Sequence, residues 1–337
     1  MQANSVQAPA SPQVQASSVA TAETSPLAAR APVSPEAAPT IQQADPSVRR
    51  WGWLRGRSAA TGGFRPSLLS RWLWGFSLGI LLFLFLCAIV PQWIAPFSPT
   101  DMKPDRLLQA PSLSHWLGTD QFGRDVWSLV IYGSRQSLLM GVVSVVIGGF
   151  VGTVLGLVAG YWGGVVDSVF MRLNDILMTI PGILLAIAIS VALGPSFFNV
   201  ILAISVASIP GKARVVRSQV ISIRSRPFID AARAVGTSHL EIMFRHILPN
   251  CFSPLLVMMT IGVGSSILVG TGLSFLGLGV VQEIPDWGYM LSQGRSYMTV
   301  AWWVATFPGL AITLLVVVVN LIGDEIRDRM DPKKGRA

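Results

Sequence analysis

Residues 176–209 read ILMTIPGILLAIAISVALGPSFFNVILAISVASI and contain no charged residue over 34 positions. At about 1.5 Å of rise per residue, a single helix of this length would measure about 51 Å. The hydrocarbon core of a bilayer is only about 30 Å thick. Gly194 and Pro195 lie near the middle of the stretch, and this pair favours an interruption between two helices. The stretch therefore predicts a hairpin of two membrane-spanning helices, at about residues 174–193 and 197–212.

The composition of the whole chain is that of a membrane protein. Of 337 residues, 51% are hydrophobic and 12% are charged, whereas soluble domains carry about a quarter of their residues as charge. The net charge of +8 would suit a nucleic-acid-binding protein, but that function needs a basic face on a soluble body. Here the basic residues lie between apolar runs, so we expect membrane lipid as a partner and no nucleic acid.

Four further apolar segments are each long enough to cross a bilayer, since about 20 apolar residues suffice in helical form. They lie at about residues 72–93, 136–161, 252–280 and 301–322. Arginines are concentrated just before the first segment, and residues 211–250 hold seven bases against two acids. Both regions are predicted to be cytoplasmic by the positive-inside rule, and only a hairpin returns the chain to that side. The sequence predicts an all-α integral membrane protein with six transmembrane helices and both termini in the cytoplasm.

The regions outside these helices differ in composition. Residues 1–48 are rich in Ala, Pro, Ser and Gln, with four charges and no aromatic residue, and cannot bury enough surface to offset their chain entropy. They lack a basic region followed by an apolar one, so they predict a disordered cytoplasmic tail rather than a signal peptide. The predicted organisation is a tail at 1–48, a basic juxtamembrane segment at 49–71, the first helix and an external loop at 72–135, a transmembrane core at 136–323 that contains a cytoplasmic loop at 211–250, and a cytoplasmic tail at 324–337.

Two groups of residues are predicted to lie on the outer side of the membrane. The tryptophans near the predicted outer boundary, where an interfacial aromatic belt would place them, are Trp93, Trp287, Trp302 and Trp303. The charged residues predicted to stabilise the external loop at the outer mouth of the bundle are Asp120, Arg124 and Asp125. Ordinary solvated ion pairs are the alternative for the second group.

Glycines at strict four-residue spacing form one stripe on the second predicted helix. The stripe consists of Gly148, Gly152, Gly156 and Gly160. In lipid, such a stripe lets another helix approach closely. A direct role with a substrate is the alternative, but glycine offers no polar group beyond its backbone. Helix packing is therefore the preferred interpretation.

The cytoplasmic loop contains DAARAVGTSHLEIMFRHILPN at residues 230–250. The first six of these residues favour a helix, and Gly236 can take the left-handed conformation that ends one. Ser238, followed three residues later by Glu241, has the pattern of a capping box and predicts the start of a second helix. Pro249 is predicted to end that helix.

The second helix of this loop is predicted to be amphipathic, since apolar residues fall at positions i, i+3, i+4 and i+7. These residues are Leu240, Met243, Phe244 and Ile247. Two interpretations are open on local physics. The stripe either binds a groove on a partner protein, or it packs on the chain's own helix ends or lies on the lipid surface.

The chain shows no residue pattern typical of an enzyme or a metal site. His115, His239 and His246 have neither i, i+4 pairing nor nearby cysteines, and Cys87 and Cys251 behave as small hydrophobic residues in or beside apolar stretches. The motifs G-x-x-x-x-G-K-[ST], G-x-S-x-G and H-E-x-x-H do not occur. We expect no catalytic activity, cofactor or metal on this chain. The predicted helices have essentially no ionisable residue between their ends, which argues against a secondary transporter.

Residues 230–250 resemble the EAA loop of importer-type ABC transporter permeases, whose pattern is Glu-Ala-Ala, three residues, Gly, nine residues, then Ile-x-Leu-Pro. The matching residues are Asp230, Ala231, Ala232, Gly236, Leu248 and Pro249. Two positions depart from the pattern, because Asp230 replaces Glu but keeps a carboxylate, and His246 replaces Ile. The peptide and nickel branch of the family often ends this loop in His-Ile-Leu-Pro-Asn, as residues 246–250 do here.

Three further stretches are similar to the C-type permease of dipeptide, oligopeptide and nickel systems. They are LGTD at 117–120 with GRD at 123–125, LSFLGLG at 273–279, and WG at 287–288. Together the resemblance covers about residues 70–330, so that the predicted tail lies outside it.

The resemblance implies that this chain is one permease and forms half of the translocation pore in a bacterial inner membrane. A second, B-type permease would form the other half, and two ATPase subunits would bind ATP and magnesium in the cytoplasm. An extracytoplasmic binding protein would deliver the substrate. Di- or oligopeptides are the preferred substrates, with nickel chelates or peptide antibiotics as alternatives, since the apolar spans by themselves do not specify one.

The resemblance also implies that the cytoplasmic loop couples the chain to the ATPase subunits. The residues assigned to ATPase coupling are Asp230, Ala231, Ala232, Gly236, Ser238, Leu240, Glu241, Met243, Phe244, Ile247 and Pro249. The helix that contains the apolar stripe is expected to sit in a groove on an ATPase. Closure of the ATPase pair on ATP is then expected to move this helix and tilt the spans between inward-open and outward-open states.

Overall fold

The structure is a computed structural model that describes residues 68–279 and 283–330. The predicted tail at 1–48, nearly all of the segment at 49–71 and the end of the tail at 324–337 lie outside the described residues. Within the described ranges, the regular secondary structure is entirely helical. The predicted all-α class is confirmed.

The described α-helices are numbered in chain order. Their bounds are α1 Leu68–Ile89, α2 Pro91–Ile94, α3 Val126–Trp162, α4 Gly164–Met178, α5 Gly182–Leu193, α6 Phe197–Arg224, α7 Pro227–Ala234, α8 His239–Glu241, α9 Leu248–Phe275, α10 Trp287–Arg295 and α11 Trp303–Met330. A 3₁₀ turn at Pro104–Arg106 precedes α3, and a π-helix at Ile242–Ile247 joins α8 to α9.

Four continuous helices in the described part of the chain are long and apolar enough to cross a membrane. They are Val126–Trp162, Phe197–Arg224, His239–Phe275 and Trp303–Met330. Helices α4 and α5 are long and apolar enough only when taken together, as a pair bent by 88°. The apolar part of α1 is shorter, at Trp74–Ile89. The described residues therefore form a bundle with four spans, or five when the bent pair counts as one.

The interruption predicted at Gly194 and Pro195 separates α5 from α6, and Gly194 has a φ of 82° at the end of α5. The first arm of the predicted hairpin differs from the prediction, because residues 174–193 are not one helix. Helix α4 ends at Met178 and α5 starts at Gly182. Pro181 explains the break, since proline disfavours helical geometry in the residue before it.

The second arm also differs, because α6 continues through Arg224 instead of ending near residue 212. Its basic residues face acids of α4. The carboxylate of Asp167 accepts two hydrogen bonds from Arg217, each 2.5 Å long, and Asp175 accepts one from Arg214 at 2.5 Å. These ion pairs hold α4 along α6 and let the helix extend beyond the apolar part of the sequence.

Lys212 was assigned to the cytoplasmic loop by its charge, but the structure buries it within α6. Its side chain is 6% exposed, and its ammonium group donates a hydrogen bond of 2.9 Å to the hydroxyl of Ser208. The glycines of α3 provide the space, since Lys212 atoms are among the nearest neighbours of Gly148 and Gly152. The expectation that the spans lack ionisable residues between their ends is therefore wrong at this position.

The predicted tryptophan belt divides into two pairs. Trp93 and Trp302 are 84% and 51% exposed, as an interfacial position requires. Trp287 and Trp303 are instead 0% and 6% exposed, and they pack in the core formed by α1, α3, α9, α10 and α11. Their indole N–H groups donate to the carbonyl oxygens of Val130 at 2.8 Å and of Thr119 at 3.1 Å. These two hydrogen bonds join α10 to α3 and α11 to the loop that precedes α3.

The charged residues of the external loop are buried and satisfied. Both carboxylate oxygens of Asp120 accept hydrogen bonds from Arg124, at 2.7–2.8 Å. Asp125 caps α3 by accepting from the backbone N–H of Ser128 at 2.8 Å and also contacts the ring of His115 at 3.0 Å. Because this cap precedes Val126, α3 begins well before the predicted residue 136. Asp120, Arg124 and Asp125 therefore do not form the solvated ion pairs that were the alternative for them.

Candidate coupling site

Helix α7 and the turn that follows it form the first half of the loop that was predicted to be cytoplasmic. Gly236 has a φ of 81°, in the left-handed region, as predicted. The backbone N–H groups of Gly236 and Thr237 donate to the carbonyl oxygens of Arg233 and Ala232, at 3.0 and 3.1 Å. This pair of bonds is a Schellman motif, which ends a helix and reverses the chain. No atom beyond the neighbouring residues lies within 4 Å of a Cβ placed on Gly236, so the backbone angle alone favours glycine here.

Ser238 caps the next helix. Its hydroxyl accepts a hydrogen bond of 3.3 Å from the backbone N–H of Glu241. The carboxylate of Glu241 does not complete the predicted box with Ser238, because it accepts instead from Arg245 at 3.0 Å, four residues onward. The predicted helix start is present, and its glutamate supports the following turn rather than the cap.

Pro249 does not end the helix that starts at His239. The helix runs without a break from His239 to Phe275, so the amphipathic segment and the predicted span at 252–280 are one element. The turn just before Pro249 is a π-helix, at Ile242–Ile247, and the N–H of Leu248 donates to the carbonyl of Met243, five residues back. A wider turn relieves the clash between a proline ring and the carbonyl four residues earlier.

The predicted apolar stripe is divided between two environments. Met243 and Ile247 are 3% and 0% exposed, whereas Leu240 and Phe244 are 61% and 59% exposed. Packing on the chain's own helices therefore accounts for half of the stripe only. One half packs on the chain's own helices, and the other half leaves an apolar surface uncovered in this chain.

The buried half belongs to one hydrophobic cluster that joins the loop to two long helices. Its members are Leu157 and Tyr161 of α3, Val216, Val220 and Ile223 of α6, Ile229 of α7, and Ile242, Met243, Ile247 and Cys251 of the helix that follows. Ile229 and Ile242 are both 0% exposed. The loop is therefore packed firmly against the C-terminal ends of α3 and α6.

A polar contact reinforces this joint. The hydroxyl of Tyr161 and Nδ1 of His239 are 2.7 Å apart in a hydrogen bond, and the two rings meet nearly edge-on at 5.8 Å. The guanidinium of Arg224 lies over the Tyr161 ring at 5.9 Å from its centre. The first residue of the coupling helix is thus fixed to the last turn of α3.

The four glycines of the predicted stripe line the contact between α3 and α6. A Cβ placed on Gly156 would lie 2.5 Å from the carbonyl oxygen of Ala213, and one on Gly160 would lie 2.8 Å from Cβ of Val220. Gly152 and Gly148 face the same helix one and two turns earlier in α3, beside Lys212. All four are buried. The backbones of the two helices therefore approach as closely as glycine allows.

The remaining assigned residues lie on the outer surface of the loop. Asp230 and Ala231 are exposed, and Asp230 forms an ion pair of 3.3 Å with Arg233, three residues onward. Ala232 is half-buried and packs on the hydrophobic cluster. Val235, which the sequence analysis did not assign, is 82% exposed beside the turn.

Four residues of the joint were not assigned from the sequence. Ile229 and Ile242 carry no signal beyond being apolar, because their burial depends on which turn of the helix faces α3 and α6. Tyr161 and His239 are 78 positions apart, and only the structure brings them together. Within the described residues, no group of three or more His, Cys, Asp or Glu side chains is placed to hold a metal ion.

The bundle of apolar helices with a folded loop at one end defines a class, that of polytopic membrane proteins. Comparison with known proteins identifies the family. Residues 152–336 match the family described as binding-protein-dependent transport system inner membrane component, and residues 68–111 match the N-terminal TM domain of oligopeptide transport permease C. The chain belongs to this family of inner membrane transport components, and the resemblance drawn from its motifs is confirmed.

Individual relatives agree with this assignment. The dipeptide transport system permease protein DppC of Alkalihalophilus pseudofirmus is 44% identical over 254 residues, which cover 75% of this chain and 84% of the relative. The glutathione transport system permease protein GsiD of Pectobacterium atrosepticum is 43% identical over 256 residues, covering 75% and 85%.

Among solved structures, the inward-facing MetNI methionine ABC transporter aligns with 60% of this chain and 96% of its own, at 21% identity and a TM-score of 0.49.

Proposed function

We propose that this chain is the C-type permease subunit of an ATP-driven, binding-protein-dependent importer of di- or oligopeptides. Family membership and the matched N-terminal domain support the permease role. The substrate class is supported by the relatives, whose names specify dipeptides and glutathione, both small peptides. A chain of this kind forms half of a pore and leaves ATP hydrolysis to separate subunits that bind ATP and magnesium.

The proposed topology has six transmembrane helices with both termini in the cytoplasm of a bacterial inner membrane. The four continuous spans, the bent pair α4–α5 and helix α1 together give that number. The basic residues of α6 and of the loop after it support a cytoplasmic position for the coupling site. A B-type permease, two ATPase subunits and an extracytoplasmic binding protein complete the proposed assembly.

One observation supports the coupling mechanism most directly: the loop presents an exposed apolar surface while its other side is packed on α3 and α6. We call this exposed surface the docking surface and define it by Val235, Leu240 and Phe244. An ATPase groove that covers it moves the loop when the ATPase pair closes on ATP. Because the buried side is joined to two long helices, that movement passes into the transmembrane bundle. ATP favours one arrangement of the bundle only through its different affinity for the two.

The experiment compares two phenylalanines of the same continuous helix. Phe244 is 59% exposed on the docking surface, and Phe252 is 55% exposed two turns away. Fully burying a phenylalanine contributes about 1.5–3 kcal/mol, so covering the exposed part of Phe244 contributes about 1–2 kcal/mol. Replacement by alanine is expected to weaken ATPase attachment about 5- to 30-fold.

The complex is reconstituted in proteoliposomes with its co-encoded partners, and peptide-stimulated ATP hydrolysis and peptide uptake are measured. Phe244→Ala is expected to lower both, and Phe252→Ala is expected to leave both near the wild-type level. Equal behaviour of the two variants would contradict the coupling role. Stimulation by nickel chelates and not by peptides would contradict the proposed substrate.

A further inference from the structure

A groove of about 340 Å³ lies between α1 and α3 on the outside of the bundle. Its lining consists of Phe85, Ala88 and Ile89 of α1 and Arg135, Leu138, Leu139 and Val142 of α3. All of these side chains are apolar except that of Arg135. The groove is therefore apolar apart from one cationic group, the guanidinium of Arg135.

The guanidinium of Arg135 has no counter-charge in the described part of the chain. It forms neither an ion pair nor a hydrogen bond there, and its side chain is exposed. Seven other arginines of the described loops and helices have carboxylate partners, as Arg124 and Arg217 do. An unpaired cation beside an apolar groove attracts an anion that also carries apolar groups.

The position of Arg135 along α3 places it at the level of lipid headgroups. Trp162 ends α3 next to the basic inner end of α6, and Arg135 lies about 40 Å further out along the helix axis at 1.5 Å per residue. A bilayer measures about 40–45 Å when its polar regions are included. Trp93, exposed just beyond the end of α1, marks the same outer boundary.

The apolar part of the groove continues from this level into the hydrocarbon region. Leu138 and Leu139 follow Arg135 by one turn, and Val142 lies about 10 Å deeper along the helix. Ile89 and Phe85 of α1 face them across the groove and are 67% and 41% exposed. The groove thus carries its charge at headgroup depth and its apolar surface at acyl-chain depth, as a phospholipid does.

We propose that this groove binds one anionic phospholipid of the outer leaflet, with its phosphate on Arg135 and an acyl chain between α1 and α3. The interaction fixes α1 against α3 at the outer end of the bundle. It is independent of the transported substrate and of the coupling loop. A neighbouring protein subunit seated on the groove is the competing occupant.

The test uses the co-purified transport complex in detergent, with phosphatidylglycerol and phosphatidylcholine of the same chain length as probes. Lipid retained by the complex is measured by native mass spectrometry. Arg135→Gln is expected to lower the apparent affinity for phosphatidylglycerol at least about fivefold, as expected for one basic residue at an anionic lipid. The control Arg245→Gln removes the same charge from the cytoplasmic loop and is expected to leave phosphatidylglycerol binding unchanged.

A second pair of variants tests the groove separately from the charge. Leu139→Trp fills the groove and is expected to reduce phosphatidylglycerol binding with Arg135 intact. Leu314→Trp changes a leucine of equal exposure on α11, 43% against 44%, and is expected to have no effect. The proposal is overturned if Arg135→Gln binds phosphatidylglycerol like the wild type, or if the wild type retains both lipids equally. It is also overturned if the cysteine of a Leu139→Cys variant cross-links efficiently to another subunit.

Discussion

Replacement of Gly156 by alanine is expected to separate α3 from α6. The added Cβ would lie 2.5 Å from the carbonyl oxygen of Ala213, 2.8 Å from Cβ of Val216 and 2.9 Å from the backbone nitrogen of Arg217. Two of these three atoms belong to the backbone, so a change of side-chain rotamer cannot make room. The helices themselves must move by several tenths of an ångström or more.

The magnitude follows from two opposing effects. Overpacking of a close contact costs about 1–3 kcal/mol, and alanine in place of glycine within a helix contributes about 0.5–1 kcal/mol in the other direction. The difference spans about 0–2.5 kcal/mol, and because the added Cβ meets backbone atoms, the net loss at Gly156 lies in the upper part of this range, at about 1–2 kcal/mol. Gly272 on α9 is a matched control, because no atom lies within 4 Å of a Cβ placed there. Gly272→Ala is expected to be neutral or slightly stabilising.

The assay is the thermal unfolding midpoint of the co-purified complex in detergent, together with peptide uptake in proteoliposomes. Gly156→Ala is expected to lower the midpoint by about 1–3 °C, since an unfolding entropy of about 2.1 cal/mol/K per residue gives about 1.4 °C per kcal/mol for a chain of 337 residues. Uptake is expected to fall with it, since the coupling loop is packed on the same two helices. Equal shifts of the midpoint in Gly156→Ala and Gly272→Ala would show that the close packing of α3 on α6 does not depend on the glycines.

Three further substitutions test the loop and the outer end of the bundle. Gly236→Val forces a β-branched residue into a left-handed conformation and is expected to abolish coupled uptake, whereas Gly236→Asn, which tolerates that conformation, is expected to retain most of it in the same uptake assay. Tyr161→Phe removes one hydrogen bond of 2.7 Å to His239 and is expected to cost about 0.5–1.5 kcal/mol in thermal stability. Burial raises the pKa of Asp286, although backbone N–H groups of the turn that it caps partly offset this. The folded state then binds this proton more readily than the unfolded state, so stability falls as the pH rises from about 4 through the folded-state pKa. Asp286→Asn keeps the capping oxygen and is expected to flatten the dependence of the unfolding midpoint on pH.

Features that depend on neighbouring residues were predictable from the sequence. The break at Gly194 follows from the glycine and proline that form it, and the left-handed turn at Gly236 follows from the helix it ends. The cap at Ser238 follows from the residues next to it, since its hydroxyl caps the three-residue helix that leads into the π-turn. Each of these positions is determined by atoms within a few residues along the chain, so a local pattern contains the necessary information.

Features that depend on distant residues were not predictable in this way. Helix α4 and the extension of α6 rest on the ion pair of Asp167 with Arg217, which are 50 positions apart. The burial of Lys212 depends on the glycines of another helix. The division of the apolar stripe was also hidden, because which edge of the stripe is buried depends on how α3 and α6 lie against it. A 3.6-residue period assigns all four stripe residues to one face, whereas the structure buries two of them.

The glycine stripe and the coupling loop, treated separately in the sequence, meet on a single turn of α3. Gly160 lies against Val220 of α6, and the next residue, Tyr161, holds His239 at the start of the coupling helix. A loop attached to only one helix would rotate that helix alone. The helix would slide past its neighbours, and the movement would not reach them. Because the glycines press α3 and α6 together at the same level, a displacement of the loop acts on both helices at once. Under the proposed coupling role the close packing is therefore required, and a variant that loosens it is expected to uncouple transport even when the docking surface is intact.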